Sequence, residues 1–334
     1  METMRDVALA AGVSLKTVSR VVNGEPGVRP ETASRVMAAI AKLRFQPNVA
    51  ARSLRAGNAM PLIGLVIGDL ANPFYSGIAR GVEEVAAEQG YLVITGSSEE
   101  HAARENDLIS ALCRQHVAGL LVVPARHRVG SEREARIPTV FLDRPSPAGR
   151  ADTVLLDNLG GAQQGVAYLI AQGHRRIGVV GAGQSLYTAA ERLSGYRAAL
   201  AAAGLSPDDA LLSLGAHNVA HAEECAHRIL ALADPPSAIF AMNNRASVGV
   251  LRAVSARQAP AAVLGFDDLE LADVLTSLLA LVVHEPMEMG RAAARLLFAR
   301  LVGDDSPWRR IVLPTTLMVY DRPATTSNGL AGTR

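Results

Sequence analysis

Residues 6–23 read Asp-Val-Ala-Leu-Ala-Ala-Gly-Val-Ser-Leu-Lys-Thr-Val-Ser-Arg-Val-Val-Asn, and their spacing predicts two short helices folded across a tight turn. Val7, Ala8 and Ala11 are spaced to pack one helix, and Val18, Val21 and Val22 do the same for the next. Gly12 relieves the chain reversal between them, and Ser14 is placed to cap the second helix. Leu15, Lys16, Thr17, Ser19 and Arg20 are left near the exposed first turns. A recognition helix reaches base edges in a DNA major groove with that part of its surface.

Outward from this pair, Asn23-Gly24-Glu25-Pro26-Gly27 has turn composition, and Pro30 and Glu31 open a third helix running to about Leu43. Val36, Ile40 and Leu43 would cover the two-helix unit. Pro47 stops that run. Asn48 to Arg55 then has helical propensity but too few residues to stand alone, and Pro61 begins the next domain. The reading therefore places a small all-α domain at 1–57 and a larger one at 58–334. Charge divides at the same place. Residues 1–57 hold nine Lys and Arg against four Asp and Glu, a net +5, while the remainder is −4 with 24 basic and 28 acidic residues. A basic small domain beside an acidic large one is the layout expected when only the first part meets phosphate.

The pattern D-V-A-x-x-A-G-V-S-x-x-T-V-S-R-V-V-N resembles the helix-turn-helix of the lactose-repressor (LacI/GalR) family of bacterial transcription regulators, and the resemblance extends over essentially the whole chain. It implies a dimeric repressor on a near-palindromic operator. Leu15, Lys16 and Arg20 would face bases, with Thr17, Ser19 and Asn23 nearer the backbone. Lys16 and Arg20 can both address guanine, whereas Leu15 offers only apolar contact, for instance to a thymine methyl. Residues of about 48–56 would be a hinge helix entering the minor groove, with Leu54 as a wedge flanked by Arg52 and Arg55. The remainder would take the periplasmic sugar-binding-protein fold, crossing between two lobes near 157, 286 and 316.

The residues agree with that fold. Half the chain is apolar but only 4% is aromatic, which suits helices packed on parallel strands. Strand-like runs at Leu62–Ile67, Leu92–Thr95, Gly119–Val123, Thr139–Leu142, Thr153–Leu156, Ile177–Val180, Ala238–Met242, Ala262–Leu264 and Leu281–Val283 have helical stretches between most of them, such as Tyr75–Gln89, Gly160–Ala171, Ser194–Ala203 and Arg245–Ser255. Such alternation predicts an α/β core with parallel sheets covered on both faces, too long for one core and so divided into two similar lobes.

Ligands of open α/β lobes bind outside the carboxyl ends of strands. Asp69-Leu70-Ala71-Asn72-Pro73-Phe74-Tyr75, Asp143-Arg144, Asn243-Asn244, Asp267-Asp268 and His284-Glu285 all follow strand-like runs, and Arg192 is expected just ahead of a helix. A sugar needs carboxylates, amides and guanidinium groups for its hydroxyls and an aromatic ring for its C–H face. Asp69, Asn72, Phe74, Asp143, Arg144, Arg192, Asn243, Asp267 and Glu285 supply that set and match family positions. Asn244 stands where the family usually has Asp, Glu285 where glutamine is common, and His217 where some members place an aromatic over the sugar. The effector's identity is left open, as is the choice between inducer and corepressor.

Gly181-Ala182-Gly183 lacks the third glycine of a dinucleotide fingerprint, with Leu186 in its place. His217, His221 and Cys225, four apart, would share a helix face with Glu224 adjacent. That spacing can chelate a metal, but the favoured reading is a solvated or pocket-lining face, with no metal or cofactor. No G-x-S-x-G, H-E-x-x-H or P-loop is present, so an enzyme is not expected. Isolated Cys113 and Cys225, the lack of an apolar run of ~18 residues and a start without a signal-peptide h-region point to a cytoplasmic protein. The competing function, a sugar-binding transport receptor without a DNA role, would need a secretion signal. The segment after Val319-Tyr320-Asp321-Arg322-Pro323 lacks leucine heptads, so a homodimer is expected.

Overall fold

The computed structural model describes residues 3–22, 24–45, 60–125, 137–146, 149–270, 272 and 278–320. The chain divides into two compact units, Met1–Met60 and Pro61–Arg334.

In the first unit, α1 (Met4–Ala11) starts with a capping box. Thr3 Oγ1 accepts from the Asp6 N–H, and the Asp6 carboxylate accepts from the Thr3 N–H at 2.7 Å. Gly12 closes α1 in the left-handed region (φ 64°), which a residue with a Cβ adopts only at a cost. Ser14 Oγ then accepts from the Thr17 N–H at 3.1 Å and opens α2 (Leu15–Val22). The third helix, α3 (Pro30–Leu43), has proline in its first turn. Val7, Ala8, Ala11, Val18, Val36 and Ala39 form the buried centre, with Val21, Val22, Ile40 and Leu43 packed around it. Leu15, Lys16 and Arg20 of α2 are left on the exposed side of the helix.

The second unit holds two six-stranded sheets. Lobe 1 uses β1 (Met60–Ile67), β2 (Leu92–Ser97), β3 (Val117–Val122), β4 (Thr139–Leu142) and β5 (Asp152–Leu156), with helices α4 (Pro73–Glu88) and α5 (Ala102–Arg114). Lobe 2 uses α6 (Asn158–Ala171), β6 (Ile177–Gly181), α7 (Tyr187–Ala202), β7 (Leu212–Leu214), α8 (Val219–Leu230), β8 (Ala238–Ala241), α9 (Asn244–Arg257), β9 (Ala262–Phe266) and β10 (Leu278–Val283). The chain then returns α10 (Pro286–Leu301) and β11 (Arg310–Leu313) to lobe 1, and β12 (Thr316–Val319) to lobe 2. The sheet orders are β11-β5-β4-β3-β1-β2 and β12-β10-β9-β8-β6-β7, so each strand of one lobe has a counterpart in the other. The passages between sheets lie at Asp157, at His284-Glu285 and at Pro314-Thr315, all beyond the carboxyl ends of strands.

One strand departs from the all-parallel expectation. β11 runs parallel to β5, but β12 is antiparallel to β10. Topology requires it. β11 runs with its neighbours, and Pro314-Thr315 then carries the chain straight into the other lobe, where it meets strands heading the opposite way.

Valines, leucines and isoleucines of both sheets face helices on either side, as two clusters per lobe. Across lobe 1, α4 and α10 approach so closely that a Cβ on Gly81 would meet the Met287 carbonyl, and one on Gly290 would meet that of Ile78. That contact ties the returning helix α10 to lobe 1.

Candidate functional site

At the carboxyl ends of β4 and β9, equivalent strands in the two lobes, stand Asp143 and Asp267. Both are buried, and both hold a left-handed backbone, φ 63° and 69°. The Asp143 N–H donates to Val154 O and the Asp267 N–H to Val282 O, each at 2.9 Å. Non-glycine residues in that region cost free energy and cluster at functional sites. Here the symmetry of the two lobes places a strained carboxylate at the same point in each.

Their partners differ. Asp267 Oδ1 accepts from Arg192 at 3.3 Å and lies 3.1 Å from His284 Nε2, while Oδ2 accepts from the Asn244 N–H at 3.3 Å. Arg192 is held in turn by Asn158 Oδ1 at 2.8 Å and Met242 O at 2.6 Å, with its guanidinium 3.7 Å from the centre of the Phe266 ring. Burial pushes the Asp267 carboxyl up, but attraction from Arg192 and the bond to His284 outweigh it and hold the group at about 2.

In lobe 1 the guanidinium goes elsewhere. Arg144 donates to both oxygens of Glu100 at 2.6 and 2.7 Å, to Pro124 O at 2.6 Å and to the Tyr75 hydroxyl at 3.1 Å. Those four bonds use every terminal N–H of Arg144, leaving only Nε, 3.5 Å from Asp143. Burial disfavours charge on Arg144, but Tyr75 and Glu100 more than reverse the effect and raise it. Burial dominates at Asp143, and its carboxyl rises despite attraction from Arg144 and Arg192.

The lobes also touch directly. Asn244, at the start of α9, donates through Nδ2 to Asn72 Oδ1 at 2.7 Å, and Arg245 pairs with Asp69. Asn72 caps α4 as well, accepting from the Phe74 N–H at 3.1 Å. The Phe74 ring meets the His284 ring edge-on, centroids 5.3 Å apart.

Asp69, Asn72, Phe74, Asp143, Arg144, Arg192 and Asp267 thus lie within this linked set. Arg192 sits inside α7 rather than ahead of a helix, because α7 begins at Tyr187. Two other residues are placed differently. Asn243 uses its Oδ1 to cap α9, accepting from the Ala246 N–H at 2.7 Å, and its neighbour Asn244 makes the bridge. Glu285 is exposed at the start of α10 and makes no side-chain hydrogen bond among the described residues.

Glu100, Asn158 and Arg245 belong to the set and were not among the sequence candidates. Glu100 follows β2, which runs on to Ser97 rather than ending at Thr95, so the same carboxyl-end rule would have found it. Tyr75 and His284 stood inside stretches already singled out.

In the first unit, Leu15, Lys16 and Arg20 are exposed on α2, and Thr17 and Ser19 are half-buried. Arg20 lies 3.7 Å from Glu25, and the Thr17 hydroxyl is 2.9 Å from Ser14 Oγ. Asn23, Arg52, Leu54, Arg55 and the hinge at 48–56 lie outside the described residues.

Comparison with known proteins agrees with both units. The model of bacterial regulatory proteins of the lacI family matches residues 3–48, and that of the periplasmic binding protein-like domain matches residues 166–321. The HTH-type transcriptional regulator CelR of Thermobifida fusca is 35% identical over 338 residues, covering 96% of this chain and 97% of that protein. Among solved structures, a CelR–cellobiose complex superposes with a TM-score of 0.72 at 33% identity, covering 96% and 99% of the two chains. The lac repressor dimer bound to operator and the anti-inducer ONPF gives a TM-score of 0.82 at 25% identity, covering 95% and 97%. The chain belongs to the LacI family of DNA-binding transcription regulators. No helix among the described residues is long and apolar enough to cross a membrane.

Proposed function

We propose that the chain is a homodimeric repressor that binds a near-palindromic operator through residues 1–57 and releases or grips it in response to a sugar or sugar derivative held between the lobes of residues 58–334. The observation that carries the effector site is the buried Arg192–Asp267–His284 cluster, joined through Phe74 to lobe 1. Burying ions is unfavourable unless partners compensate them, and this cluster adjoins two of the passages between the lobes, through His284 and through Asn158 next to Asp157, where a ligand would bridge both. Asp143, Arg144 and Arg192 would address hydroxyls from the two sides, with Phe74 against a C–H face. CelR was solved with cellobiose, which supports a sugar as the class of ligand.

On DNA, Lys16 and Arg20 would read guanine edges and Leu15 a thymine methyl. Thr17, Ser19 and Asn23 would lie toward the backbone, and Leu54, between Arg52 and Arg55, would wedge the minor groove. Hinge helices this short depend on each other and on DNA, so a small change in lobe angle can melt them. Effector and operator affinities are then reciprocally coupled.

The test is operator binding by fluorescence anisotropy across a panel of neutral sugars, with Arg192→Ala and Asp267→Ala beside the wild type. A sugar should shift the wild-type curve, while both variants bind operator but ignore the sugar. Normal dose-response in either variant rejects the site. Leu54→Ala should weaken specific operator binding and leave the sugar response of the core intact.

A further inference from the structure

His217 and His221 are set apart by their spacing, and neither makes a contact with the linked set that joins the lobes. His217 does not share the helix face expected for it, because it precedes Asn218, the residue that caps α8 through the His221 N–H at 2.9 Å. The imidazoles nonetheless converge. Their Nδ1 atoms are 3.0 Å apart and the ring centroids 4.8 Å apart at 64°. His217 is exposed and His221 half-buried, so water reaches the pair. Cys225 is not a third member. It is buried one turn further on and accepts from Arg228 at 3.0 Å.

We propose that His217 and His221 form a two-imidazole site for a divalent transition-metal ion of tetragonal preference, Cu2+ or Ni2+, at the connection from β7 to α8. The argument is the separation of the donors. With metal–nitrogen bonds of about 2.0–2.1 Å, donors 3.0 Å apart subtend about 91–97° at the ion. That is the cis angle of square-planar and octahedral coordination, whereas a tetrahedral ion would want the nitrogens about 3.4 Å apart. Without metal, one Nδ1 carries the hydrogen that lies between the two. Binding needs the lone pair of each Nδ1, with the ring hydrogen on Nε2 instead, a tautomer exchange that water access permits.

The Gly215 carbonyl, 3.4 Å from His217 Nδ1, adds an oxygen beside the pair. The remaining coordination positions would be filled by water or by an oxygen or nitrogen ligand from solution. The positive end of the α8 dipole opposes a cation at His221, a penalty of less than about fivefold in affinity. That is small against the loss of a whole imidazole ligand.

The experiment titrates untagged full-length protein with CuSO4, NiSO4 and ZnSO4 by calorimetry in a non-coordinating buffer, with electron paramagnetic resonance on the copper form. The expected result is one equivalent bound more tightly for Cu2+ and Ni2+ than for Zn2+. His217→Asn and His221→Asn should each weaken it at least about tenfold without shifting the melting temperature, and Cys225→Ser should leave it unchanged. The copper spectrum should show nitrogen coupling that is lost in the double variant. Equal binding by wild type and double variant, or loss on Cys225→Ser with the two histidine variants silent, overturns the proposal.

Discussion

Asp143 and Asp267 occupy matching positions in the two lobes, with the same left-handed backbone and the same donation from their N–H to the next strand, yet their carboxyls move in opposite directions. In lobe 2, Arg192 reaches across the sheet end and engages Asp267. In lobe 1, Arg144 is adjacent in sequence to Asp143 but is clamped by Glu100 from the end of β2. Fold symmetry sets where a carboxylate stands. Which guanidinium is free to meet it sets whether ionisation is favoured.

Several substitutions would break or sharpen that contrast. The largest effect is expected for Asp267→Asn, which leaves Arg192 buried without its carboxylate and should cost about 3–5 kcal/mol in urea unfolding. The wild type has its own acid signature at this residue. Because the folded carboxyl sits at about 2, below its ordinary value of 3.8, it contributes about 2 kcal/mol that is complete above the unfolded value and disappears as pH falls from about 4 to about 2. Asp267→Asn should remove that slope.

Glu100→Gln comes next, at about 2–3 kcal/mol, smaller because Asp143 is close enough to take over Arg144. The Asp143 carboxyl should then fall rather than rise, as read by carbon NMR titration. No fall would mean that Glu100 is not what keeps Arg144 from it.

Asp69→Asn with Asn72→Ala removes the direct bridges between the lobes and should cost about 1–2 kcal/mol, most of it the lost cap of α4, since the Asp69–Arg245 pair is partly exposed. A wider lobe separation by small-angle scattering, in the absence of sugar, would mark those bridges as the contacts that hold the lobes together. The smallest effect, and one of opposite sign, is expected for Asp143→Asn. Its folded carboxyl is raised, so ionised Asp143 costs stability above that raised value. The amide should therefore be neutral or slightly stabilising near pH 7, and the gain should vanish below about pH 4. A loss comparable to that of Asp267→Asn would show the two aspartates to be equivalent after all.

Much of the core was legible along the chain, because burial on both faces leaves apolar runs such as Leu62–Ile67 and Ile177–Val180. The short edge strands were not. β7 is three residues long, and β11 and β12 carry apolar runs of only three residues, Ile311–Leu313 and Leu317–Val319, separated by Pro314-Thr315-Thr316. Of the linked residues just past strand ends, Asp143 and Asp267 were legible, whereas Asn158 was passed over although the end of its strand, Leu156, was placed correctly. Glu100 was missed through a boundary two residues short, and Asn243 was chosen over Asn244 because both follow the same strand.

What the sequence by itself determined is the headpiece and the alternating layout of the core. Thr3 with Asp6, Gly12, and Ser14 with Thr17 act over three or four residues, and such local capping and periodicity need no knowledge of distant chain. Only the tertiary structure decided how the charges pair. Arg144 meets Glu100 across 44 residues and Asn244 meets Asn72 across 172. Strand order and the passage of the chain between lobes bring those groups together, and no local rule says which of several carboxylates a buried guanidinium will reach.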